Sequence, residues 1–341
     1  FATCTSTKTY AGPLADGVHT FRVQAKDSAG NWSLVSSYTW RVDTTKPTVS
    51  ITTKPANPVS SSSADFAFAI ADTGGSGVST VTCQLDATSA PCTYSALTGY
   101  TAGYTGQSDG EHTLTVTLVD VAGKSDSASY TWRIDTTAPA VEITAASKPT
   151  NPTSAITASI AWTQSDTNGS GIATTECKLD AGAWGACSSP KALSTLADGS
   201  HTFSVRVTDN ATNSTTDLYT WLVDTSAPSV TIATGSKPAN PSKLSTAAFT
   251  FSSSDGAVGA GVSTTECKLD DEAFISCGSA TAKSYSGLTN GSHTFTVRVT
   301  DGALRTADQA LTLVEGVNAV RGKGPSDNDF GLGLRGFAGR G

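Results

Sequence analysis

The sequence predicts an all-β chain of tandem antiparallel β-sandwiches arranged as a rod, with a disordered C-terminal tail. Three observations predict it. Long phrases recur at a period of about 90 residues. Within them apolar and polar residues alternate, as in Phe203, Val205 and Val207 against Ser204, Arg206 and Thr208, which is the two-residue period of half-buried strands. Clusters such as KPANP, DTGGSG and ADG separate runs of about five to eight residues, too short and too rich in Ser, Thr, Gly and Pro for helices.

The first phrase reads YTWRVDTTKP at 38–47, YTWRIDTTAP at 130–139 and YTWLVDTSAP at 219–228. The second reads ADGVHTFRVQAKD from Ala15, SDGEHTLTVTLVD from Ser108, ADGSHTFSVRVTD from Ala197 and TNGSHTFTVRVTD from Thr289, and it contains all four histidines. The third, TCQLDATSAPC, ECKLDAGAWGAC and ECKLDDEAFISC, ends at Cys92, Cys187 and Cys277. These phrases divide the chain into a repeat truncated at its N-terminus (1–46), repeats at 47–138 and 139–227, a repeat with an atypical last strand (228–315) and a Gly/Arg-rich tail (316–341). About seven short strands in about 90 residues fit an immunoglobulin-like sandwich. Residues 1–46 would hold only half of one, with Cys4 unpaired through truncation. In 228–315 the tryptophan of the last strand is missing, and ALTLVEG is expected to supply an alternating strand through Leu311 and Val314.

The three phrases together resemble the tandem bacterial Ig-like (Big-type) repeats of large secreted or cell-surface proteins, adhesins among them, over residues 1 to about 301. That resemblance implies an extracellular or bacterial cell-surface location and a non-enzymatic stalk or spacer. An adhesin-type module binding glycan or protein through hairpin and loop residues is the alternative, and an accessory array beside a catalytic domain is a third. Neighbouring repeats and further domains of the same protein are the expected partners.

Composition narrows the chemistry. A net charge of −7 repels phosphate backbones, so nucleic acid is not an expected partner. No apolar run is long enough to insert into a membrane, and the absence of Met, even at position 1, reads as a fragment. GQSDG (106–110) has the GxSxG spacing but leads into the alternating, strand-period phrase rather than a helix, so it is not a nucleophile elbow. The Gly-rich GGSG (74–77) and NGSG (168–171) lie between strands and open no helix, so they are not phosphate loops. Asp270 and Asp271 fall in a hairpin turn, where Asp is favoured for its backbone bonds. One histidine per repeat at a fixed place is expected at the core margin, bonded to a turn.

The cysteine spacings place Cys83 opposite Cys92, Cys177 opposite Cys187 and Cys267 opposite Cys277 on neighbouring strands, close enough for disulfides. Zinc would need four ligands where each repeat offers two thiols and one distant His; reduced thiols are the other alternative. Disulfides imply an oxidising compartment and would limit how far each repeat unravels. Calcium is the one metal considered: Asp43, Asp135 and Asp224 end a strand just before the inter-repeat Pro, and Asp27, Asp120, Asp209 and Asp301 sit at a strand-to-turn junction. Hard carboxylate oxygens there could fill a site at each junction, and some calcium-rigidified Ig-like adhesins resemble this arrangement. Turn and strand-end aspartates are the plain alternative. Trp40, Trp132 and Trp221 are expected in or near cores. Trp184 and Phe274 share a hairpin position that becomes Ser89 or Ala90 in repeat 47–138, which makes them the candidate ligand-contact residues.

Overall fold

The computed structural model describes residues 1–5, 7–95, 99–240 and 242–315; the tail expected to be disordered, 316–341, lies outside them. They form two compact units, one within residues 1–149, 158–193 and 201–220, the other within 150–157, 194–200 and 221–315. Apart from two short 3-10 turns, Ala145–Ser147 and Thr234–Ser236, the named elements are β-strands.

Segment 47–138 shows why these sequences make sandwiches. One sheet orders Thr48–Thr53, Ala64–Ala71, Gly99–Tyr104 and Thr93–Ser95; the other orders Ser125–Ile134, Gly110–Asp120, Val78–Leu85 and Thr88–Ala90. Alternation in Gly110–Asp120 puts Leu114, Val116 and Leu118 at 0% exposure while Thr115, Thr117 and Val119 are partly exposed. Phe66 from the first sheet meets Trp132 from the second edge-on, ring centroids 5.0 Å apart, a favoured aromatic geometry. Each such side chain contributes about 1.5–3 kcal/mol by leaving water. The recurring Tyr-Thr-Trp therefore has two roles. Its Trp fills the core, and its Tyr130 hydroxyl donates to the Pro55 carbonyl beneath the ammonium of Lys54.

The second of these sheets recurs downstream with the same strand order, while the first becomes two two-stranded sheets in 139–227 and a three-stranded one in 228–315. A four-stranded sheet orders Gly185–Ala186, Ile172–Leu179, Gly199–Asp209 and Ser214–Val223, and another orders Ile275–Ser276, Val262–Leu269, Gly291–Asp301 and Thr306–Glu315. The last strand of 228–315 is fully paired: Leu313 lies opposite His293 and is 2% exposed, the place Trp132 holds opposite His112. The expected alternation through Val314 is corrected by one position. Leu311 and Leu313 face inward, while Val314 is 46% exposed, because the register is set by Phe295 opposite Leu311.

Among the described residues of 1–46, Gly17–Val23 and Ser36–Val42 pair as strands, with an isolated bridge between Lys26 and Trp32. Their inward face lines an open cavity of about 680 Å³ with Phe21, Val23, Tyr38 and Trp40, and Tyr38 is 69% exposed. Residues equivalent to Trp40 and Phe21 are fully covered in 47–138.

All three disulfides are formed, Cys83–Cys92, Cys177–Cys187 and Cys267–Cys277, with Cα separations of 5.8, 5.8 and 5.0 Å; Cys4 is free and exposed. The cysteines are not directly opposite one another. Cys83 faces Ala90, Cys177 faces Gly185 and Cys267 faces Ile275. Each partner lies two residues further along, bridging the ladder diagonally, because the hairpin turn closes one residue pair sooner than the spacing suggests.

Trp132→Ala removes the ring on which both sheets of 47–138 converge. It is expected to cost about 3–5 kcal/mol, seen as a separate, earlier transition when urea unfolding is followed by circular dichroism.

Candidate metal centre

Three clusters of aspartates form where one repeat phrase hands over to the next. In each, one carboxylate oxygen from each of three residues lies within 4.8 Å of the others: Asp43, Asp72 and Asp120; Asp135, Asp166 and Asp209; Asp224, Asp255 and Asp301. The first member follows the last strand of a repeat. The second opens the Gly-rich loop of the next repeat, and the third ends its long strand.

Local backbone geometry fixes each carboxylate. Asp43 accepts from the Thr45 N–H and hydroxyl through Oδ1 and from the Ser76 N–H through Oδ2 at 2.6 Å. These bonds to Ser76 and Thr45 lower its pKa to about 2. Asp135 and Asp224 repeat the pattern with the N–H groups of Ser170 at 2.6 Å and Ala260 at 2.7 Å. Asp72, Asp166 and Asp255 each accept the N–H of the last glycine in their loop at 2.6 Å. Asp120, Asp209 and Asp301 accept the N–H four residues on, from Lys124, Asn213 and Arg305. Burial, and then the carboxylates of Asp224 and Asp301, raise the pKa of Asp255.

The loop glycines are required by the site. A Cβ on Gly75 would stand 2.1 Å from Asp72 Oδ1, and one on Gly169 would stand 2.1 Å from Asp166 Oδ1. GGSG and NGSG are thus tight wraps around an acidic side chain rather than plain turns.

Donor chemistry fits a hard divalent cation. Asp120 and Asp301 are 2% and 0% exposed, and each leaves Oδ2 buried with no hydrogen-bond partner among the described residues. Asp72 and Asp255 each leave Oδ1 in the same condition. A buried carboxylate oxygen without a donor is costly, and three anions this close repel one another. Oxygens bound to one calcium ion at about 2.4 Å are at most about 4.8 Å apart, and the oxygens of each cluster all lie within that limit.

Of the aspartates expected from the sequence, Asp43, Asp120, Asp135, Asp209, Asp224 and Asp301 are brought together, in three groups. Asp27 is not: it sits exposed and accepts both the backbone N–H and the side-chain amide of Asn31. Sequence reasoning missed Asp72, Asp166 and Asp255. Their signal is an Asp just before the Gly-rich loop of each repeat, DTGGSG, DTNGSG and DGAVGAG.

The linkers carry a second acidic device. Asp16, Asp109 and Asp198, from the DG turns, accept the N–H of Thr44, Thr136 and Thr225, and Thr137 and Ser226 add hydroxyl bonds to the last two. Across the turn from Asp43, the Arg41 guanidinium donates to the Gly74 carbonyl at 2.8 Å, and Arg133 donates likewise to the Asn168 carbonyl.

His112, His201 and His293 lie at the core margin. His112, 7% exposed, bonds the Asp86 carboxylate at 2.7 Å and the Ser108 carbonyl at 2.8 Å; His293 does the same with Asp270 and Thr289, and His201 bonds Asp180. Trp184 and Phe274 are half-buried. The Trp184 ring is flanked by Lys178 at 5.0 Å and Arg206 at 4.5 Å, and Phe274 by Lys268 at 5.1 Å and Arg298 at 4.0 Å. Where the aromatic is absent, in 47–138, the cations are absent too: Gln84 and Thr117 stand at those places.

This all-β architecture of repeated two-sheet modules is that of Ig-like domains. Residues 57–136 match the family model described as bacterial Ig-like domain. The phrases within that stretch recur along the chain. No curated protein sequence matches the chain. Among solved structures, a tetra-tandem repeat from the extending region of a large adhesion protein is 20% identical, covering 89% of this chain and 82% of that one (TM-score 0.35). A Ca2+-stabilised adhesin that helps an Antarctic bacterium bind ice is 18% identical, covering 87% and 81% (TM-score 0.33). The fibronectin(III)-like modules of Clostridium thermocellum CbhA are 20% identical, covering 52% and 94% (TM-score 0.33).

Burial pulls the pKa of His112 down, but its bonds to Ser108 and Asp86 outweigh this and the net shift is upward. For Asp86, burial pushes up while Thr113 and His112 pull harder, and the net shift is downward. The pair therefore stabilises fully between about pH 3.9 and 6.5, the unfolded values. That contribution is lost as pH rises through the raised His112 value or falls through the lowered Asp86 value. Asp86→Asn is expected to cost about 1 kcal/mol more at about pH 5.5 than at about pH 8.5, modest because Asp86 is 48% exposed; urea unfolding at both pH values checks it.

Proposed function

We propose that the chain is a non-enzymatic structural spacer of a bacterial extracellular or cell-surface protein, whose junctions are set by hard divalent cations, calcium by the donor set. The observation that carries this is the recurrence of three clustered aspartates at each handover, with carboxylate oxygens buried and unbonded in Asp72, Asp120, Asp255 and Asp301. Calcium would supply the positive charge and the oxygen coordination that these groups lack. The protein's part is to hold the carboxylates in place with backbone N–H groups and to keep water from them. Three disulfides support an oxidising location. Adhesion through Trp184 and Phe274 gains no support, since Lys and Arg side chains already flank both rings.

The test is calorimetric titration of the oxidised chain with calcium, beside small-angle scattering with calcium and then with chelator. Saturable binding is expected, together with an extended profile that loosens on chelation, and a thermal stabilisation worth about 2.7 kcal/mol per site at a hundredfold excess over Kd. No binding and a profile indifferent to chelator would overturn the cation-set junction. A compact particle in both conditions would overturn the spacer itself.

A further inference from the structure

The three acidic clusters differ at one position, the residue four places after the strand-end aspartate: Lys124, Asn213 and Arg305. In every case the backbone N–H of that residue serves Oδ1 of the aspartate. Only in the middle cluster does its side chain enter. Asn213 Nδ2 donates to Asp209 Oδ2 at 2.8 Å and to the Asp135 carbonyl at 2.8 Å, with the Thr137 carbonyl at 3.4 Å. Both oxygens of Asp209 are thereby satisfied, whereas Oδ2 of Asp120 and of Asp301 is buried and unbonded.

Residues 1–46 contain an independent instance of this chemistry. Asn31 grips Asp27 with the same two bonds, N–H to Oδ1 at 2.8 Å and Nδ2 to Oδ2 at 3.0 Å, and Asp27 belongs to no acidic cluster among the described residues. An asparagine at this position thus completes its aspartate without help from outside.

Resting on the reading of the clusters as cation sites, we propose that the junctions are of two kinds: the clusters of Asp43 and of Asp224 take up a divalent cation tightly, while Asn213 closes the cluster of Asp135 by an internal amide. A cation entering the middle cluster meets an amide hydrogen pointed at Asp209 Oδ2, the oxygen left open in Asp120 and Asp301, and must break that bond and displace an amide held also by the Asp135 carbonyl. Its affinity there is expected to be at least tenfold weaker. The chain would then bind two cations tightly rather than three.

Calcium titration of the full, oxidised chain, first freed of metal by chelator, counts the sites. Wild type is expected to show two tight sites. Asn213→Ala strips the amide from Asp209 Oδ2 and is expected to raise the count to three, a gain that unfolding cannot mimic. Asp120→Asn is expected to lower the count to one, while Asp209→Asn leaves two. Three equal tight sites in wild type, or two in Asn213→Ala, would overturn the two-kind assignment and leave the cation reading standing. No binding in any variant would overturn both.

Discussion

The constraint on which the rest of the junction depends is the confinement of three buried or half-buried carboxylates, with an oxygen of each within 4.8 Å of the others. Like charges at that distance repel strongly once water is displaced, so the fold must hold them there against their own electrostatics. It does so with backbone N–H groups, which cannot swing away: Ser76, Gly77 and Lys124 each supply one to the first cluster. Much of the local sequence follows from this. A glycine in each loop gives the aspartate that opens it room, and the Thr after Asp43, Asp135 and Asp224 engages the carboxylate of the preceding DG turn.

Most of the fold was legible because it is written in periodicity and repetition. Alternation over Gly110–Asp120 and Gly199–Asp209 named the core residues directly, since strands place every second side chain inward. The spacing of the cysteines named the bridged pairs but not the register, because a hairpin's turn geometry decides which residues face one another. Val314 and Leu313 illustrate the same limit. One place of register moves a side chain from the core to the surface, and the substitution of Leu for Trp had removed the landmark that would have fixed it.

The site was legible by halves. Strand-end aspartates could be read from the repeat phrases, because their place beside the inter-repeat Pro recurs. Their partners Asp72, Asp166 and Asp255 could not be joined to them, since they lie about 30 to 50 residues from the others and only the folded chain closes that distance. Conversely, Trp184 and Phe274 looked free to meet a ligand because the position varies. The structure shows variation of a different sort, in which aromatic and flanking cations come and go together, as at Gln84 and Thr117.

The short span of the disulfide loops bears on how such a chain would behave under load. Each bridge closes a separation of only 9 or 10 residues, which withholds about 30–35 Å of fully extended chain from a repeat able to pay out roughly 300 Å. Contrary to what the cysteines alone suggest, the bridges shorten the tether by about a tenth. What they preserve is a hairpin stub joined to Cys83, Cys177 or Cys267 on a central strand, a template from which a stretched repeat can re-register when tension falls.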